Sequence, residues 1–105
     1  MKARLSLPQF ERHSVRASDG TRLEAQSFGD GPLPIVIANG LGGTLVAWTP
    51  MLRALEHRAR FISWDYRGLY GSDRPSDLAR LRVEHHVDDL RQVMDALDVE
   101  KAVFA

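Results

Sequence analysis

The sequence predicts an α/β fold in which an antiparallel hairpin precedes parallel strands joined by two crossover helices. Three observations predict it. Residues 35–38 (IVIA), 61–64 (FISW) and 102–105 (AVFA) are short, nearly continuous apolar runs, the pattern of strands buried on both faces of a parallel sheet. Stretches with helical spacing of apolar residues separate these runs. Upstream, Asp19-Gly20 joins two short segments of mixed polarity, as a hairpin turn does.

In chain order, residues 12–18 and 22–28 are the hairpin arms, and their composition suits a half-exposed antiparallel edge. Asp30-Gly31-Pro32-Leu33-Pro34 is a breaker. The strand at 35–38 then runs into the glycine-rich loop Asn39-Gly40-Leu41-Gly42-Gly43. Thr49-Pro50 begins a helix, with Thr49 as N-cap and Pro50 at the first helical position, where a missing N–H costs nothing. Trp48, Met51, Leu52 and Leu55 recur at helical spacing, and the helix ends near residues 56–58. The strand at 61–64 closes at Asp65, and a loop follows to about residue 77. A second helix spans 83–97; Val83, Val87, Leu90, Met94 and Leu97 form its apolar stripe, and Asp88, Asp89, Arg91 and Asp95 face the other way. Strands alternating with helices imply right-handed crossovers.

The chain has 105 residues, so it is one domain or part of one, and it shows no internal repeat. Fourteen Lys+Arg balance fourteen Asp+Glu, and the signs are interspersed. No basic surface for nucleic acid or an anionic membrane is expected. The absence of cysteine excludes disulfides, thiolate metal sites and a thiol nucleophile. The N-terminal MKARLSLPQFERH lacks the apolar core of a signal peptide, and no apolar run approaches a membrane span, so a cytoplasmic protein is expected.

In open parallel sheets, ligands bind at the carboxyl ends of the strands. The loops 39–43 and 65–76 occupy that position. Glycines in the first let the backbone approach a ligand closely, and backbone N–H groups in such a loop can stabilise an oxyanion. Alone, it reads first as a tight strand-to-helix turn and only second as a catalytic loop. In the second loop, Arg67 is read as a brace that bridges carbonyls or pairs with Asp65, and Gly68 and Gly71 as positions closed to other residues.

Together the two loops resemble the first half of an α/β-hydrolase: strand, (His/Asn)-Gly-x-Gly-Gly, helix, strand, Asp-x-Arg-Gly, then Gly-Ser-Asp, helix, strand. The resemblance spans about residues 14–105, and the second loop is its more specific part. It implies one incomplete domain over residues 1–105. The activity implied is hydrolysis of an ester or related bond through a nucleophile, a His and an acid, without a cofactor or metal. Leu41 would donate its backbone N–H to the oxyanion hole, and Asn39, Gly40, Gly42 and Gly43 would shape that loop. Asp65, Arg67, Gly68, Gly71 and Ser72 would brace the neighbouring loop. In the family the nucleophile, Ser or Asp, sits in a Gly-x-Ser-x-Gly-type elbow directly after a buried strand. Residues 102–105 match that strand, so the chain is expected to stop short of the nucleophile and to be inactive alone. A small-molecule substrate is expected once a C-terminal half completes the site, and the apolar edge strand 102–105 is expected to promote self-association.

The sequence departs from the family's pattern twice. Asn39 stands where His is common; it can brace the loop but cannot titrate. The usual Arg-Gly-x-Gly becomes Arg67-Gly68-Leu69-Tyr70. That leaves the large Tyr70 as a residue of a substrate entrance, of the core, or simply exposed.

Other readings have weaker support. Ser72 with His85 or His86 and Asp65 or Asp88 has the residue types of a triad, but no elbow motif activates Ser72. Adjacent histidines on a helix diverge, so His85 and His86 with Asp89 make a poor metal site. A dinucleotide fingerprint would need glycine where Leu45 stands, and leaves the hairpin and second loop unexplained. A non-catalytic remnant or partner-completed module is the remaining alternative.

Overall fold

The computed structural model describes residues 9–39, 43–75 and 77–105. Its strands are β1 (Glu11–Arg16), β2 (Arg22–Phe28), β3 (Leu33–Val36), β4 (Ala59–Trp64) and β5 (Val103–Phe104), joined in one sheet of order β1-β2-β4-β3-β5. β1 and β4 both run antiparallel to β2, whereas β3 runs parallel to β4 and β5. Helix α1 (Thr49–Leu55) connects β3 to β4, and α2 (Val83–Ala96) lies between β4 and β5. This is the expected hairpin followed by three parallel strands and two crossover helices.

Alternation along the strands divides the core between two faces. Leu23, Ala25, Val36, Ile62 and Trp64 pack with Val93 of α2 and with Leu97, which caps that helix. Ile37, Ala59 and Phe61 point to the other face and pack with Leu45 and with Leu52 of α1. Because α1 and α2 cover opposite faces, the carboxyl ends of β3 and β4 emerge between two connections that diverge, which is where an open sheet forms a crevice. None of the helices among the described residues is long and apolar enough to cross a membrane.

Several local expectations are corrected. Thr49 is not the N-cap: a 3-10 turn at Leu45–Trp48 precedes α1, Trp48 takes the cap position, and the Thr49 hydroxyl donates to the Val46 carbonyl at 2.6 Å. β3 is assigned two residues earlier than 35–38, yet the ladder continues, with Ile37 N–H bonding Ile62 O and Ala38 N–H bonding Ala105 O. The α2 stripe is rotated. Val83 and Val87 are 75% and 50% exposed, whereas Val93 and Asp89 are fully buried. Asp89 was expected on the outer face; it turns inward because a cation awaits it there. The helix closes with Val99 N–H bonding Met94 O while Asp98 takes φ 57, a Schellman ending with aspartate where glycine is usual. β5 is at the sheet edge, as expected of residues 102–105 in this chain, and Val103 and Phe104 are 50% and 58% exposed.

Candidate functional site

Asn39 lies three residues past the end of β3, 9% exposed, and its side chain is bonded through both its oxygen and its nitrogen. The Trp48 indole N–H can only donate, and it meets Asn39 Oδ1 at 3.1 Å. That fixes Nδ2 as the donor to Ser63 Oγ at 2.8 Å, and Ser63 passes its own proton to the Ile37 carbonyl at 2.7 Å. The Asn39 backbone carbonyl accepts from the Tyr66 hydroxyl at 2.6 Å. Burial raises the Tyr66 pKa, which keeps the phenol a neutral donor. The start of the 39–43 loop is therefore held from β4, from the turn before α1 and from the loop after β4. Gly40, Leu41 and Gly42 lie outside the described residues; Gly43 is exposed where the chain re-emerges.

Asn39→Ala would leave the Trp48 N–H without its acceptor and the Ser63 oxygen without its donor, both in a largely buried setting. It is expected to lower stability by about 1–3 kcal/mol in denaturant unfolding.

The loop after β4 folds back along β2. Asp65 N–H bonds Glu24 O, and Asp73 N–H bonds Arg22 O, both at 2.8 Å. The Asp65 carboxylate accepts from Gly71 N–H at 3.0 Å, and Arg22 donates to the Gly71 carbonyl. Ser72 is buried; its hydroxyl donates to Asp65 O at 2.6 Å and accepts from Glu24 N–H at 2.9 Å. Those bonds leave the hydroxyl oriented by backbone. His86 is turned toward the Tyr66 ring, with centroids 5.4 Å apart.

Arg67 does not pair with Asp65. Its guanidinium grips Asp89 through Nε and Nη2, each at 2.7 Å, and reaches Asp19 through Nη1 at 2.9 Å. Arg67 and Asp89 are buried, and Asp19 is the hairpin-turn residue. Three sequence-distant segments thus meet at one cation. Its hydrogen bonds hold the Asp19 carboxyl well below the usual aspartate range, and donating to Asp89 and Asp19 raises the Arg67 pKa.

Gly68 has φ +81, as its expected role requires, but Gly71 does not share that conformation. Glycine serves at 71 by size: a Cβ there would crowd Glu24 Cβ and Cγ at 3.1 Å. The left-handed residue is Tyr70, at φ 48 and 63% exposed. It stands where the family's pattern has glycine and carries strain that glycine would avoid.

Sequence reasoning missed three participants. Ser63 is the lone polar residue in a buried-strand run, which by itself calls for a partner. Tyr66 left no such trace. Gln26, on β2, looked like one polar position of an alternating strand, yet it is 6% exposed and sits opposite Ser63. Leu45, where a dinucleotide loop needs glycine, is buried against the α1-side core.

A mixed sheet with this strand order, whose first two parallel strands end in a glycine-rich loop and an Asp-x-Arg-Gly loop, defines a class of α/β enzyme scaffold. The family model described as alpha/beta hydrolase fold matches residues 34–105. The protein named "Putative carbamate hydrolase RutD" of Caulobacter vibrioides is 33% identical over 97 residues, covering 89% of this chain and 35% of that protein. The 3-oxoadipate enol-lactonase 1 of Acinetobacter baylyi is 32% identical, covering 90% of this chain and 35% of its own length. Among solved structures, an alpha/beta hydrolase from Novosphingobium aromaticivorans superposes with TM-score 0.81 at 22% identity, over 94% of this chain and 35% of that one. At that identity the likeness speaks to the fold alone. The chain belongs to the α/β-hydrolase fold family, and it spans about a third of the length of the curated relatives it matches.

Proposed function

We propose that these residues supply the oxyanion-loop side of a hydrolase that cleaves an ester or related bond, and that they turn over no substrate alone. The observation that carries the reading is the Asn39 network. A loop start gripped by Ser63, Trp48 and Tyr66 is preorganised, and fixed donors are what oxyanion stabilisation requires. In this reading the Leu41 N–H is one donor, and Asn39, Gly40, Gly42 and Gly43 set its direction. Asp65, Arg67, Gly68, Gly71 and Ser72 hold the adjacent loop. No Gly-x-Ser-x-Gly or Gly-x-Asp-x-Gly occurs in the sequence, so the nucleophile comes from elsewhere. The names of the relatives support carbamates and enol-lactones as candidate substrates.

Two measurements test this. The purified 105-residue chain is expected to hydrolyse 4-nitrophenyl acetate no faster than buffer; turnover lost on Ser72→Ala would overturn the reading. The coding DNA past Ala105 is expected to encode a nucleophile elbow in frame. A stop codon, with a native mass near 11.8 kDa, would leave only family membership.

The exposed β5 edge favours a second reading alongside the first, in which this chain self-associates through Val103 and Phe104. A monomer at every concentration in sedimentation equilibrium would exclude it.

A further inference from the structure

A cleft of about 290 Å³ opens on the α1 face, beside the exit of the 39–43 loop. Thr44, Leu45, Val46, Tyr70 and Gly71 line it together with Glu24 and Gln26 of β2, and Arg12 and Asp65 border it with charges of opposite sign. Its size is at the small end for ligand pockets. Two independent features make it more than a surface dent.

The first is Gln26. The residue is 6% exposed, and among the described residues its amide makes one long hydrogen bond, Nε2 to the Glu24 carbonyl at 3.4 Å. That leaves donor and acceptor capacity of the carboxamide to spare where it lines the cleft. The second is Tyr70, a bulky side chain held at φ 48 on the rim. Strain of this kind concentrates at ligand-contacting positions. Gln26 is paired across the sheet with Ser63, the residue that orients Asn39, so the cleft and the loop share one row of side chains.

We infer that this cleft is a binding subsite for a small neutral ligand carrying a planar N–H/C=O pair, of the carbamate or carboxamide type, with its hydrocarbon end against Leu45, Val46 and Tyr70. The Gln26 amide is self-complementary to such a group: its Oε1 accepts the ligand N–H and its Nε2 donates to the ligand carbonyl. An ester of the same shape lacks the donor. The inference rests on the hydrolase reading only in taking the ligand to be part of a substrate; binding itself needs no nucleophile.

The test is a ¹H–¹⁵N NMR titration of the 105-residue protein with benzyl carbamate and, separately, with benzyl acetate. Saturable shifts are expected at Leu45, Val46, Gly71 and the Gln26 side-chain amide, with benzyl acetate about tenfold weaker, the value of one good hydrogen-bond pair. Gln26→Leu is expected to weaken benzyl carbamate about tenfold and to abolish its preference over the ester. Tyr70→Gly is expected to fold at least as stably as the parent and to bind severalfold more weakly, so the inference stays testable if Gln26→Leu does not fold. Absence of saturable shifts, equal affinity for the two probes, or unchanged binding in Tyr70→Gly would overturn it. Binding without hydrolysis by any longer product would defeat the proposed function and leave this subsite standing; hydrolysis without these shifts would do the reverse.

Discussion

Arg67→Ala is expected to be among the most destabilising single substitutions in this chain, costing about 3–5 kcal/mol. The loss follows from what is left behind. Asp89 is fully buried and accepts two 2.7 Å bonds from the guanidinium; without them a carboxylate stays in the core with no counter-charge from Arg67. Domains of this size hold roughly 5–15 kcal/mol in all, so much of the chain would unfold at moderate temperature. Arg67→Lys keeps the charge but not the two-pronged geometry, and is expected to fall between the parent and alanine. The double variant Arg67→Met with Asp89→Leu removes both charges from the core and is expected to recover most of the loss. Chemical denaturation of the four proteins checks the order; equal loss in the alanine and double variants would mean that packing, not an unpaired charge, is responsible.

The same cluster sets a pH dependence. Hydrogen bonds from Arg67 depress the folded pKa of Asp19. A depressed carboxylate stabilises the fold fully above its unfolded pKa, and that stabilisation is lost as pH falls toward the folded one. Stability is therefore expected to decline as pH falls through about 4, the pKa of free aspartate, toward the lower folded value. In Asp19→Asn that part of the acid sensitivity should vanish, read as a flatter profile of unfolding midpoint against pH.

The Arg67 cluster also marks the boundary of what the sequence discloses. Apolar runs and a turn dipeptide are local signals, so the hairpin, the three parallel strands and both helices could be read directly. Which face of α2 points inward is settled by residues far away in sequence. Val83, Val87, Leu90, Met94 and Leu97 make a regular stripe, but so do His86, Asp89, Leu90, Val93 and Leu97. The second wins because Asp89 finds Arg67, 22 positions upstream. Periodicity treats aspartate as an outward residue and has no means of seeing its counter-charge. At the candidate site, the loops themselves were legible from glycine spacing. The grip on Asn39 was not, because it is assembled from Ser63, Trp48 and Tyr66 on three separate segments. The missing glycine at Tyr70 was visible as a departure, and its physical meaning, a strained left-handed residue, emerges only from the backbone angle.

Gly31→Ala is expected to be comparably damaging, by a different route. A Cβ at Gly31 would lie 2.0 Å from the Arg58 carbonyl carbon and 2.1 Å from the Ala59 nitrogen. Both are backbone atoms at the start of β4, so no side-chain rotation can make room. The same crossing carries the bonds from Gly31 N–H to Ala59 O and from Leu33 N–H to Arg58 O that seat β3. Relief of the clash must pull β3 away from β4 at that end, at a cost of about 3 kcal/mol or more. Gly20→Ala is the control. Gly20 also requires glycine's backbone freedom, at φ +87, but a Cβ there meets nothing within 4 Å. It should cost only about 1 kcal/mol. The consequence for function is what separates the two. β3 is four residues long and ends three positions before Asn39, so displacing its entry moves the residue that starts the 39–43 loop. At temperatures where both variants remain folded, Gly20→Ala should leave the Trp48 indole N–H resonance unchanged in ¹H–¹⁵N spectra, whereas Gly31→Ala should shift it as the bond to Asn39 is disturbed. Equal stability of the two variants would contradict the close approach of Gly31 to β4. An unmoved Trp48 signal in a destabilised Gly31→Ala would show that the Asn39 network holds its shape independently of how β3 enters the sheet.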